Sequence, residues 1–110
     1  MSLMNNLTEP GGQYEYTFVL IPKVENPFFI EVYMGCRNEA FNLAEGKIRC
    51  VYIPPAYANA HEQADLIRDI ITNPNKYGII NIDGMAISVL DENVTGSAID
   101  YTIDQNIPVI

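Results

Sequence analysis

Four short apolar runs, separated by stretches of helical periodicity, constrain this chain more than any other feature. Residues 16 to 21 read YTFVLI, 48 to 53 read IRCVYI, 85 to 90 read MAISVL, and 107 to 110 read IPVI. Continuous apolar runs of this length, rich in β-branched residues, mark strands buried on both faces. Between the first two, Asn26 is placed to cap a helix and Pro27 to open it, where a missing N–H costs nothing. Phe29, Val32, Tyr33, Cys36, Ala40 and Leu43 then recur at three- and four-residue spacing and predict one buried stripe, with Gly46 as the stop.

After the second run, Pro54-Pro55 close the strand. Asn59 followed by Glu62 resembles a capping box, and Ala64, Ile67 and Ile71 mark a buried face. Asn73-Pro74 ends that helix. Residues 79 to 90 allow two readings. Asp83-Gly84 between apolar runs is a hairpin signal. Otherwise 85 to 90 alone is a strand and 75 to 82 an irregular or helical lead-in. A third helix is expected from about Glu92 to Gln105, capped by Asp91, with Val94, Ala98, Ile99 and Ile103 inward and Asn106 as its end.

Strand and helix therefore alternate, βαβαβαβ. That order predicts an α/β fold of three layers: a doubly wound parallel sheet with helices on both faces and right-handed crossovers. The last run reads as a fourth strand that the chain enters and does not leave. The expected organisation is a leader and disordered segment over 1–15 and one incomplete lobe over 16–110. The opening MSL reads as an added leader on a mature chain. An apolar strand at the end is expected to leave an open sheet edge and an uncovered face, through which copies associate.

Composition narrows the function. The net charge is −8, and the six Lys and Arg are scattered, which argues against nucleic acid and anionic membranes as partners. No apolar run approaches the ~18 residues of a membrane-spanning helix. Residues 1–13 carry no basic and apolar segments of a signal peptide, which for a mature chain leaves its compartment open. No dinucleotide or phosphate-binding glycine loop occurs, no metal-ligand cluster, and no nucleophile with an adjacent base, so neither a cofactor nor an enzymatic reaction is expected. Cys36 and Cys50 allow two readings, a disulfide or two small buried side chains.

In an open parallel sheet, ligands bind beyond the carboxyl ends of the strands. The loops to inspect are 22–27, 54–59 and 88–93. The first delivers Asn26 and Phe28. An aromatic beside an amide suits a sugar, whose C–H face stacks while its hydroxyls take polar groups. The third loop supplies Ser88, Asp91 and Asn93. Phe29 fits the helix stripe as well as a ligand, whereas Phe28 lies off the stripe. Asn26 is compatible with capping alone. Lys23, Glu25 and the lone His61 read as solvated residues, Asp83 as a turn residue.

With YTFVLIP, then NPFF at 26–29, a helix containing GCRNEA at 35–40, GMAISVLDENV at 84–94 and NIPVI at 106–110, the chain resembles the N-terminal lobe of type I periplasmic sugar-binding proteins of the ribose-binding kind. The resemblance implies a Rossmann-like half-lobe truncated after its fourth strand. It implies a small sugar bound between two lobes by hinge closure, and delivery to an ABC-type permease from the periplasm. It implies that Asn26 hydrogen-bonds the sugar and that Phe28 and Phe29 line its pocket. Ser88 falls where that family carries an asparagine. The same resemblance favours a single strand at 85–89 and makes 75–82 an insertion. LacI-type regulators and some sensor kinases share the fold as a sugar-sensing effector domain; residues 1–15 are too short and polar for the DNA-binding module of a regulator.

Overall fold

A computed structural model describes residues 14–44 and 47–110. Strand β1 spans Tyr16–Ile21, helix α1 Pro27–Ala44, strand β2 Ile48–Tyr52, helix α2 Ala60–Thr72, strand β3 Gly84–Ile87 and helix α3 Val94–Asp104. The sheet is parallel throughout, in the order β2-β1-β3. Phe18 pairs with Cys50 on one side and Gly84 on the other. The expected fourth strand is present as one parallel bridge, Met85 to Val109, with Met85 and Ile87 donating to the carbonyls of Pro108 and Ile110.

Strand alternation sorts the core into two sides. Val19, Ile21, Val51 and Met85 pack with Ala64, Ile67 and Ile70 of α2 and Ala98 of α3. Leu20, Cys50 and Tyr52 face the other way, onto Phe29, Tyr33, Cys36 and Ala40 of α1. Three layers follow, with α1 on one face and α2 and α3 on the other, as the alternation of elements implied. A disulfide between Cys36 and Cys50 ties α1 to β2 across a Cα–Cα distance of 6.3 Å, which resolves the cysteine question toward the bridge.

The helix stripes shift from the sequence reading. Tyr33 is fully buried, but Val32 is 45% and Leu43 73% exposed. At about 100° per residue, both lie roughly 80–100° around the helix from Tyr33, on a flank that no described element covers. Gly46, expected as the stop, lies outside the described residues. In α2, Ile70 is buried and Ile71 only partly so, with Gln63 the unforeseen member of the buried face. In α3 the buried positions are Thr95, Ala98 and Thr102, whereas Ile103 is 53% exposed. The threonines are small enough for close approach of α2 and are satisfied: Thr102 Oγ1 donates to the Ala98 carbonyl at 2.8 Å.

The segment 75–82 is not a hairpin arm. Pro74–Tyr77 form a 3-10 turn, Gly78 takes a left-handed φ of 71°, and Ile79 is fully buried in the core. Asp83 does not turn the chain back. Its carboxylate accepts from the Thr17 N–H and its own N–H donates to the Thr17 carbonyl, both at 2.8 Å, which starts β3 parallel to β1. Gly84 lies under the Phe18 ring; a Cβ there would come within 2.7 Å of it. Asn106, with a positive φ of 64°, ends α3 as expected, since Asn tolerates that conformation better than most residues.

Candidate functional site

Strand order marks a candidate site. The chain leaves β1 toward β2 on one side, then crosses to β3 on the other. The reversal opens a crevice at the carboxyl ends of β1 and β3, where the outgoing loops diverge. The loops 22–26 and 88–93 border it. They are joined at their base, where the Ser88 N–H donates to the Ile21 carbonyl at 2.9 Å.

Asn26 performs the capping role its type predicts. Its Oδ1 accepts from the Phe29 N–H at 3.3 Å, and its carbonyl accepts from the Phe29 and Ile30 N–H groups at 3.1 and 3.2 Å. Among the described residues, its Nδ2 makes no hydrogen bond. Capping uses the acceptor of the amide and leaves the donor for another partner.

The two phenylalanines divide the work. Phe28 is 65% exposed, off the buried stripe, and meets Phe29 edge-to-face with centroids 5.0 Å apart. Phe29 is half-buried against Tyr33 and Tyr52 and also lines a cavity of about 380 Å³. Pro22, Val32, Tyr52 and Ser88 line the same cavity. Phe29 is thus core on one side and cavity wall on the other, while Phe28 stands free beside it. The Tyr52 hydroxyl is buried, with no hydrogen-bond partner among the described residues. Burial, and to a lesser degree the charge of Glu25, push its pKa up to about 12, so it stays a neutral donor.

Ser88 is fixed by its backbone and lines the cavity. Asp91 is exposed, and its Oδ1 is committed to the helix: it accepts from the Asn93 and Val94 N–H groups, both at 2.9 Å. Asp91 is therefore first the cap of α3. His61, Lys23 and Glu25 are exposed.

The residue that sequence reading missed is Gln63. It is fully buried in the first turn of α2. Its Nε2 donates to the carbonyls of Pro22 at 3.2 Å and Ser88 at 2.8 Å. Its Oε1 accepts from the Leu90 N–H at 3.2 Å and the Thr95 hydroxyl at 3.0 Å. A glutamine one turn past a cap ordinarily faces water, so its type gave no signal. The signal was positional: Gln63 precedes Ala64 and Ile67 on the buried face by one and four residues.

Among the described residues, no group of His, Cys, Asp and Glu is arranged to hold a metal ion, and no helix is long and apolar enough to cross a membrane. No known family model matches the chain, and no curated protein matches it significantly. Solved structures do. An ABC transporter solute-binding protein from Burkholderia graminis, in complex with D-arabinose, matches at a TM-score of 0.71 and 23% identity, over 90% of this chain and 31% of that one. The fold is that of part of a periplasmic solute-binding protein. A solute-binding protein from Agrobacterium vitis, bound with α-D-tagatopyranose, matches at a TM-score of 0.72 and 17% identity, over 86% of this chain and 29% of that one. One from Clostridium phytofermentas, with bound L-rhamnose, matches at 0.67 and 23% identity, over 86% and 26%. The chain spans about three-tenths of the length of the solute-binding proteins it matches. At these identities the likeness establishes the shared fold, and it bears out the fold expected from the strand pattern and the resemblance.

Proposed function

We propose that this chain forms part of a two-lobe, periplasmic sugar-binding protein that serves an ABC-type importer. The observation that carries the reading is Phe28. A large aromatic side chain, 65% exposed, stands in the first turn of α1, against Phe29 and two residues after Asn26, whose amide donor capping leaves uncommitted. An aromatic face with a hydrogen-bond donor nearby suits a sugar, whose C–H face stacks on the ring while a hydroxyl takes the donor. The solved structures of this fold include proteins holding arabinose, tagatose and rhamnose.

In this reading the ligand sits between lobes. Asn26 Nδ2 donates to a sugar hydroxyl, Phe28 and Phe29 flank the ring, and Ser88 and Asp91 border the far side. A second lobe supplies the remaining contacts, and closure about a hinge traps the sugar. The loaded form is the one a membrane permease recognises. No bond is made or broken, so the protein is a carrier and not an enzyme.

The test is a thermal-shift screen of pentoses, hexoses and polyols on a chain extended to carry a second lobe. A sugar at a hundred times its dissociation constant adds about 2.7 kcal/mol to stability. The expected result is a shift with one sugar or a few, abolished in Phe28→Ala. Because Phe28 is exposed, that variant itself should melt within about 0.5 kcal/mol of the parent. No shift with any sugar, or a shift that survives Phe28→Ala and Asn26→Ala together, overturns the reading.

A further inference from the structure

We propose that Gln63 is the positioning residue of the ligand site, the single side chain that holds the loops leaving β1 and β3 in one fixed relation. The inference rests on the sugar-binding reading for its functional consequence, and on hydrogen-bond geometry for its structural one. A side-chain amide offers two N–H donors and one carbonyl oxygen with two lone pairs. All four are used here, by Pro22, Ser88, Leu90 and Thr95, at 2.8 to 3.2 Å.

The partners decide what this does. Pro22 is the first residue after β1 and lies four before Asn26. Ser88 is the first after β3, and Leu90 immediately precedes Asp91. Thr95 lies in the first turn of α3; its N–H donates to the Asp91 carbonyl at 2.9 Å, and its hydroxyl faces the Asp91 N–H at 3.5 Å. One buried amide from α2 thus joins both site loops and the start of the helix behind the second. Among the described residues, the two loops are joined by the Ser88–Ile21 backbone bond at their base and, beyond it, through Gln63. A hydrocarbon at this position would take the partner from two carbonyls, an N–H and a hydroxyl, of which the Pro22 carbonyl and the Thr95 hydroxyl are bonded out of reach of water. Unlike a residue that only fills the core, Gln63 reaches the site loops and no strand.

Amide hydrogen exchange tests this directly. In the unaltered chain, both Nε2 protons of Gln63 should exchange as slowly as strand amides such as those of Val19 and Val51. Exchange at the rate of a free glutamine side chain overturns the proposal without any variant. Gln63→Met, of similar length and without polar atoms, should speed exchange at Ser88, Leu90 and Asp91 by about tenfold or more, with Val19 and Val51 unchanged. Gln63→Glu keeps the acceptor and should restore protection at Leu90 but not at Ser88. A rise spread evenly over the sheet would show a general loss of stability and sink the idea. In a chain carrying the second lobe, Gln63→Met should weaken sugar binding by about tenfold or more, with Gln63→Glu intermediate. If the unaltered two-lobe protein binds no sugar, the ligand reading fails while the exchange result still judges the positioning role.

Discussion

Asp69 shows how a single carboxylate closes a segment that the sequence left ambiguous. It accepts from Asn73 Nδ2 and Lys76 Nζ, each at 2.9 Å, and from the Tyr77 hydroxyl, so the end of α2 and the 3-10 turn after it share one anchor. These bonds, led by that from Lys76, hold its pKa down to about 2, below its ordinary 3.8. A folded-state pKa below the unfolded value contributes stability above the unfolded pKa and loses it as pH falls through the folded one. The window here runs from about 4 down to about 2. Asp69→Asn should therefore be less stable than the parent at neutral pH, and the gap should narrow as pH falls through that window. Thermal melts at several pH values check it; a gap independent of pH would mean that the charge contributes nothing. At the same scale, Asn26 and Asn59 were legible because a cap has a local rule: each accepts from the N–H three residues on. Gln63 was not, because its partners lie 25 to 41 residues away and meet it only once the fold is made. Asp69 was not, because its partners, though four to eight residues on, reach it only through a 3-10 turn that the sequence left ambiguous.

Elements were legible wherever one local rule decided them. β1 occupies Tyr16–Ile21 as read, and α1 begins at Pro27 behind its cap. What local rules cannot give is how much of a helix a sheet covers. Val32 and Leu43 are as apolar as Tyr33, yet they sit roughly 80–100° around α1 from it, on a flank left exposed among the described residues. The Asp83-Gly84 pair misled for a related reason. The same two residues that make a tight turn also make a strand start when a carboxylate finds the Thr17 N–H. The Cys36–Cys50 bridge is the strongest constraint between elements, since it fixes α1 on β2. The two cysteines are 14 residues apart, and closing a loop of that size in the unfolded chain is worth about 3 kcal/mol. Replacing both by Ala should lower the unfolding free energy by that order, read from denaturant curves. Mass spectrometry after alkylation should find neither cysteine modified in the oxidised protein; two alkylated thiols would show that the pair is free.

On the scale of the whole molecule, the two faces of the sheet are unequal. The face under α2 and α3 is closed by Ile67, Ile70, Ile79 and Ala98, all fully buried. The face under α1 is closed only over β2 and part of β1. Beyond it a hollow of about 290 Å³ opens, lined by Phe18, Leu20, Cys36, Ala86 and Ile110, and among the described residues β2 has no partner on its outer edge. Phe18 is 37% exposed and Ile110 95%. Fully burying one such side chain gains about 1.5–3 kcal/mol, so covering several of them in a second copy is strongly favourable. Opposing this is the net charge of −8, which every copy carries. The two effects respond differently to salt. Charge repulsion is screened beyond about 10 Å at 0.1 M ionic strength, whereas burial of apolar area is not weakened. The isolated chain should therefore associate, and more strongly as salt rises from about 10 mM to about 200 mM. Phe18→Asp should reverse this by placing a charge on the open face, if the face is the contact; if association persists in that variant, the edge of β2 is the contact instead. Sedimentation of the isolated chain decides between them, and a monomer at high concentration and high salt would show that neither surface is sticky enough to matter.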